Sequence, residues 1–282
     1  MLFIKRPMLF RELVNKVYPI KRNVNPNLLS HFGQVRVNKI TTLMIEEYKA
    51  FRLETVKPSS VNRELAVIKH CFNQGVLWGL TNRNPCRGVK LLKETPKDRW
   101  LTYSEEELVL RESPEWLKPI ILIDINTGLR LSELTTLRWE DVDLDRKTLT
   151  VRKAKNGEMR IIPLNSQTHQ VFTWKREEGK RLKLEGIDGK VFPFSTSFVS
   201  HTFRRACDEV GLTDVTFHSL RHSFATRLAQ HNVDVLAIQK LMGHKSISMT
   251  QRYSHHTVDS LKPIVEQLIS VSVPNEAHVA QW

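Results

Sequence analysis

Lys147-Thr148-Leu149-Thr150-Val151 and Met159-Arg160-Ile161-Ile162-Pro163-Leu164 are two β-branched, apolar runs on either side of Asn156-Gly157. Asn-Gly supplies the positive backbone angles of a tight turn, so the stretch predicts a β-hairpin. The surrounding chain has helical period instead. From Ile40 to Leu53, Ile40, Leu43, Met44, Tyr48 and Phe51 recur at three- and four-residue spacing with charged residues between them. From about Ser60 to Leu80 the face is Val61, Leu65, Ile68, Phe72, Val76 and Leu77, and Asn84-Pro85 ends the pattern. Further helices are predicted from about Ser195 to Val210, closed by Gly211, then Phe217 to His231, Val233 to Met242 and Ile247 to Tyr253. A small antiparallel sheet set among many helices defines a mainly helical α+β protein.

Two domains are expected. Between Val89 and Arg99 the chain carries charge and Pro96 but no period, which places a linker at residues 94–100. The first domain, residues 1–93, is helical, and its opening helix near Leu9 to Tyr18 is short before Pro19. The second, residues 101–282, begins with Thr102 and Glu105 at the spacing of a helix capping box. After Tyr253, the residues Val258, Leu261, Ile264, Val265 and Leu268 recur at helical spacing around Pro263, as a tail helix would.

The 282 residues include 43 Lys and Arg against 30 Asp and Glu, a formal charge of +13. Residues 1–95 carry +11 of it and residues 96–282 only +2. A basic first third suits a polyanion, because neutralising phosphates releases counterions. The longest apolar run, Ile120 to Ile125, is far short of a membrane span and contains Asp124. Met1 to Arg11 lacks the apolar core and cleavage site of a secretory signal, and Cys71, Cys86 and Cys207 form no paired motif. A cytoplasmic location with reduced thiols is the expectation.

Four clusters in the second domain carry side chains suited to a phosphodiester. Arg130 follows Thr127-Gly128-Leu129 at a predicted helix start, where backbone N–H groups and a guanidinium make an anion-binding corner; a lone surface arginine is the plainer reading. His218 and Arg221 are one helical turn apart and share a face. His218 and His222 also have the spacing of a zinc pair, but no H-e-x-x-H pattern accompanies them. Lys155, beside Asn156-Gly157, taken alone is a turn lysine.

Together these clusters resemble a family. Thr127-Gly128-Leu129-Arg130-Leu131-Ser132-Glu133-Leu134, Lys155 in its hairpin, His218-Ser219-Leu220-Arg221-His222, Leu241-Met242-Gly243-His244 and Arg252-Tyr253-Ser254-His255 are similar, in order, to the signature of the tyrosine recombinases, or phage integrase family. The helix at Ser60 to Leu65 and Trp78-Gly79-Leu80 resemble its core-binding, SAM-like helical domain. Ser223 stands where the family often has threonine and keeps the hydroxyl.

The resemblance implies a site-specific recombinase acting on double-stranded DNA. Tyr253 would be the nucleophile, forming a 3′-phosphotyrosine, and Arg130 and Arg221 would grip the phosphate oxygens. Lys155 would protonate the leaving 5′-oxygen, His218 would act as acid or base near Tyr253, and His244 would bond a phosphate oxygen. Glu133 would orient the site's cations. The ester conserves the energy of the broken bond, so resealing needs no ATP, metal or other cofactor. The sequence indeed has no G-x-x-x-x-G-K-[ST] phosphate loop and no clustered carboxylates for two-metal chemistry.

A homotetramer on paired sites passing through a Holliday junction is implied, with excision or DNA-bending proteins as accessory partners and no membrane. Integration or excision of a phage or other mobile element and Xer-like resolution are the two roles in view: without an arm-binding domain ahead of the core-binding region in this sequence, the readings are a two-domain recombinase like the Xer type or an integrase whose start has been lost. Alternative readings are a type IB topoisomerase, a DNA-binding regulator without catalysis, and a metal-dependent nuclease that a chelator would silence.

Overall fold

Helices carry most of the chain in the computed structural model, which describes residues 8–19, 26–94, 99–152, 159–181 and 189–253. Internal contacts divide it into two units, residues 1–97 and 98–282.

The first unit contains α1 (Phe10–Val17), α2 (Pro26–Phe32), α3 (Thr42–Leu53) and α4 (Pro58–Leu77). Thr41 caps α3 by accepting from the Met44 N–H, and α4 starts on Pro58, where a missing N–H costs nothing. Phe10, Leu13, Phe32, Tyr48, Ile68 and Phe72 are buried together. The buried face of α3 differs from the one its apolar spacing predicts: Ile45, Tyr48 and Arg52 point inward, while Leu43 and Phe51 are exposed. The reason is a buried polar cluster. Glu64 of α4 accepts both Arg52 Nε and Nη2 at 3.0 Å and the Tyr48 hydroxyl at 2.6 Å. Burial, followed by the bond to Glu64, raises the Tyr48 phenol above its ordinary pKa. Asn62 ties down the chain beyond the helices through paired bonds with the Leu92 backbone, both at 2.9 Å.

The second unit opens with α5 (Tyr103–Glu112), capped reciprocally by Thr102 and Glu105 as the sequence predicts. It continues through α6 (Lys118–Thr127), α7 (Leu131–Thr135), β1 (Val142–Asp143), β2 (Thr148–Val151), β3 (Arg160–Pro163) and α8 (Ser166–Arg181). It ends with α9 (Thr196–Glu209), α10 (His218–Gln230), α11 (Val235–Met242) and α12 (Ser248–Gln251). The sheet is antiparallel in the order β1-β2-β3, with Val151 opposite Arg160 and Leu149 opposite Ile162. The architecture is therefore mainly helical with a small antiparallel sheet, as expected.

Four elements escaped the sequence reading: α2, α6, β1 and α8. β1 is two residues long and pairs Val142 with Leu149, too short to show alternation. α8 is mostly polar, with Val171, Phe172 and Trp174 too few to show a clear period, but Asn165 caps it by accepting from the Thr168 N–H at 2.8 Å, a start signal the sequence does carry. The core gathers Ile120, Ile121, Ile123, Leu134, Leu149, Phe172, Phe203 and Leu220. Lys155, the linker residues 95–98 and the proposed tail helix lie outside the described residues.

Cys71, Cys86 and Cys207 are all buried free thiols, and burial pushes each up to about 12. Among the described residues no helix is long and apolar enough to cross a membrane.

Candidate active site

Two helix ends that stop on glycine build the floor of the site. α6 ends at Gly128 (φ +61°) and α11 at Gly243 (φ +62°), both in the left-handed region that favours glycine. Space demands it too, since a Cβ on Gly128 would lie 2.4 Å from Phe224 Cδ1. Helix C-termini leave carbonyls without intrahelical partners and carry partial negative charge. Here those carbonyls capture guanidiniums. Arg221 donates from Nη1 to Gly128 O and from Nη2 to Met242 O. Arg130 Nη2 donates to Gly243 O at 3.2 Å, and Arg160 Nε donates to Leu241 O at 3.0 Å.

Glu133 is the shared counter-ion. Its Oε1 accepts Arg130 Nη1 at 2.8 Å and Arg160 Nη1 at 3.2 Å, and its Oε2 accepts Arg160 Nη2 at 2.6 Å and the Arg130 backbone N–H at 2.9 Å. Burial raises its pKa, but the bonds from Arg160 and Arg130 outweigh it and hold the carboxylate below its ordinary range. The predicted anion corner at the start of α7 needs correction at this point. The N–H of Arg130 is taken by Glu133, so an anion would meet the guanidinium rather than that backbone group.

Arg221 is only 2% exposed. Burial, then the repulsion of Arg130, lowers its pKa to about 10 despite the opposing pull of Glu133. Even so it remains a cation at neutral pH. Asp124 of α6 is fully buried beside this field, and neither of its carboxylate oxygens has a hydrogen-bond partner. Burial raises its pKa well above the ordinary value, with Arg221 pulling the other way.

The histidines answer to the same cations. His244 is half-buried, with Nδ1 2.8 Å from the hydroxyl of the buried Thr250. Burial, then Arg221 and Arg130, lowers it to about 4. His218 has open surface, yet the protein packed around it, then His222, Arg221 and Arg130, also lowers it to about 4. Both rings are neutral at pH 7. His218 and His222 meet edge to face with centroids 4.8 Å apart.

Tyr253 is 9% exposed, and its hydroxyl lies 2.6 Å from Nδ1 of His222. The structure thus brings Arg130, Glu133, Arg221, His244 and Tyr253 together with His218, and it adds Arg160, His222 and Thr250. Among the described residues the histidine bonded to the tyrosine hydroxyl is His222, whereas the sequence reading named only His218 as an acid or base near Tyr253. Spacing could have found His222, since its i, i+4 relation to His218 was visible, but there it suggested only a metal pair. No group of three or more potential metal ligands is assembled among the described residues.

Buried guanidiniums in the same unit as a tyrosine hydroxyl bonded to an imidazole are the groups that nucleophilic attack on an anionic ester would use. The profile of the phage integrase family matches residues 97–259, more than half of the chain, and the protein belongs to that family. It is 28% identical to the shufflon-specific DNA recombinase of Escherichia coli over 96% of this chain and 71% of that protein. It is 30% identical to a putative integrase/recombinase of Haemophilus influenzae over 86% of this chain and 83% of that protein. Its fold is similar to that of the Tn1549 transposon integrase in complex with a circular intermediate DNA, with a TM-score of 0.74 and 23% identity over 93% of this chain and 99% of that one. The chain is a site-specific tyrosine recombinase, an enzyme that cleaves and rejoins DNA through a tyrosine.

Proposed function

We propose that the protein integrates or excises a mobile DNA element by attacking double-stranded DNA with Tyr253. The observation that carries this reading is the cation surplus of the buried cluster. Arg130 and Arg160 share one ionised carboxylate, Glu133, and Arg221 is held by the Gly128 and Met242 carbonyls, so positive charge remains for a phosphate. Arg130 is the most open of the three, with a side chain 22% exposed against 7% for Arg160. In this reading Arg130 and Arg221 hold the non-bridging oxygens, and His244 donates to one of them from Nε2. Glu133 and Arg160 position Arg130. His218 packs against His222 and keeps that ring in place, and Lys155 protonates the leaving 5′-oxygen, the role its family resemblance implies.

The basic first third, with +11 of the +13 formal charge, supplies affinity for the duplex. Four protomers on two paired sites would exchange strands in turn through a Holliday junction. Neither ATP nor a metal enters these steps, because the phosphotyrosine carries the bond energy forward.

The test is covalent capture. The protein is mixed with duplex fragments from its own genomic surroundings in the presence of chelator, quenched with denaturant, and the attached DNA is sequenced. Adducts at one or two discrete sites that vanish in Tyr253→Phe, while DNA binding persists, are the expected result. Adducts retained in Tyr253→Phe would overturn the role of Tyr253. Scattered adducts would indicate a topoisomerase.

A further inference from the structure

We infer that His222 is a catalytic residue, the general base that takes the Tyr253 proton during strand cleavage and the acid that returns it during resealing. The inference deepens the proposed function and rests on Tyr253 as nucleophile.

The geometry comes first. His222 Nδ1 lies 2.6 Å from the Tyr253 hydroxyl oxygen, a short hydrogen bond and within the reach a proton transfer needs. The ring is held from two sides. It projects from α10 one residue after Arg221, whose guanidinium is pinned to the ends of α6 and α11, and its neighbour one turn back, His218, packs against it at 84° between ring planes. A base fixed in this way pays little reorganisation when the reaction begins.

The chemistry then follows from the tautomer. A phenol of ordinary pKa about 10 is a proton donor at neutral pH. For the Tyr253 hydroxyl to donate, Nδ1 of His222 must present its lone pair, so the ring's single proton sits on Nε2. In cleavage the proton moves from Tyr253 Oη to His222 Nδ1, the Oη–P bond forms and the P–O5′ bond breaks. The departing electron pair stays on O5′, which takes its own proton from a separate donor, Lys155 in the reading above. In resealing, the incoming 5′-hydroxyl returns its proton to the group that protonated O5′ in cleavage, Lys155 in the reading above, the P–O5′ bond forms, the P–Oη bond breaks, and imidazolium His222 reprotonates Oη. Atoms and charge balance without any added reactant.

His218 has the chemistry of a base, but His222 stands between it and the role as the ring bonded to the hydroxyl.

The experiment measures the initial rate of covalent attachment to the same pool of duplex genomic fragments, alongside duplex binding, for the wild-type chain, Tyr253→Phe, His222→Ala and His222→Asn. Asn can accept a hydrogen bond from the hydroxyl but cannot take its proton, so it separates positioning from base catalysis. Both His222 variants are expected to bind duplex as the wild type does and to form adduct about 10²- to 10⁴-fold more slowly. Free imidazole is expected to restore at least part of the rate to His222→Ala and none to Tyr253→Phe. Wild-type rate in His222→Asn would overturn the base assignment and leave a positioning contact, as would a loss in His222→Ala that imidazole does not relieve. A wild-type chain that forms no adduct would overturn the Tyr253 reading, and this inference would fall with it.

Discussion

Each unit of the molecule buries one glutamate against arginine, and the two are used differently. In the first, among the described residues, Glu64 meets Arg52 in a two-pronged pair closed by the Tyr48 hydroxyl. In the second, Glu133 is shared by Arg130 and Arg160, and Arg221 adds a third guanidinium held by carbonyls rather than by a bonded carboxylate. Among the described residues the first cluster sets one arginine against one glutamate. The second has positive charge to spare, which is what an anion-binding site requires. A buried ion pair therefore says little about function until its stoichiometry is counted.

The comparison can be broken most directly at the carboxylates. Glu64→Gln and Glu133→Gln should each destabilise the chain by about 3–5 kcal/mol, because each strands buried arginine charge. Urea denaturation measures that loss. Only Glu133→Gln should also slow covalent attachment per folded molecule; an equal slowing in Glu64→Gln would erase the distinction between scaffold and site.

Arg221→Lys should cut the attachment rate about 10²- to 10³-fold, the scale of losing one oxyanion donor, since an ammonium cannot span Gly128 O and Met242 O while facing a phosphate. Single-turnover adduct formation with duplex binding as control reads this effect. A smaller change is expected at Thr250. Its hydroxyl meets His244 Nδ1, and if it donates there, the ring proton is held on Nε2, where a phosphate oxygen would be met. Thr250→Val should lower attachment about tenfold, the equivalent of one hydrogen bond of about 1.4 kcal/mol, and Thr250→Ser should recover it.

The smallest effects are on pH dependence, and they have opposite signs. His218 and His244 sit near 4 in the folded chain against an ordinary 6.5, so the stability they permit is complete above about 6.5 and is lost as pH falls towards 4. Asp124 is shifted upward, so its contribution is greatest at low pH and is lost as pH rises through its folded value. Urea midpoints across pH should decline on the acid side. Asp124→Asn should flatten only the decline on the alkaline side.

Much of the site was legible because its residues lie in short motifs whose local physics is visible in one dimension. The helix read as far as Met242 does end there on Gly243, Thr102 with Glu105 announces a start, and His218 with Arg221 shares a face by spacing alone. Arg160 was not legible as a site residue. In a strand it is one of many alternating side chains, and only the packing of β3 near α11 turns it onto Glu133 and Leu241 O. The inward side of α3 was misjudged for a related reason, because the buried positions there are taken by Tyr48 and Arg52, whose partner Glu64 is on another helix.

By itself, then, the sequence determined most of the helices, the two longer paired strands, the order of the motifs and the basic first third, all properties of neighbours along the chain or of composition. Tertiary structure alone decided which carbonyls hold Arg221, which charges Glu133 offsets, and which of two histidines touches Tyr253. Those choices depend on directions of side chains from segments as much as 93 residues apart, and such directions exist only once the helices have packed.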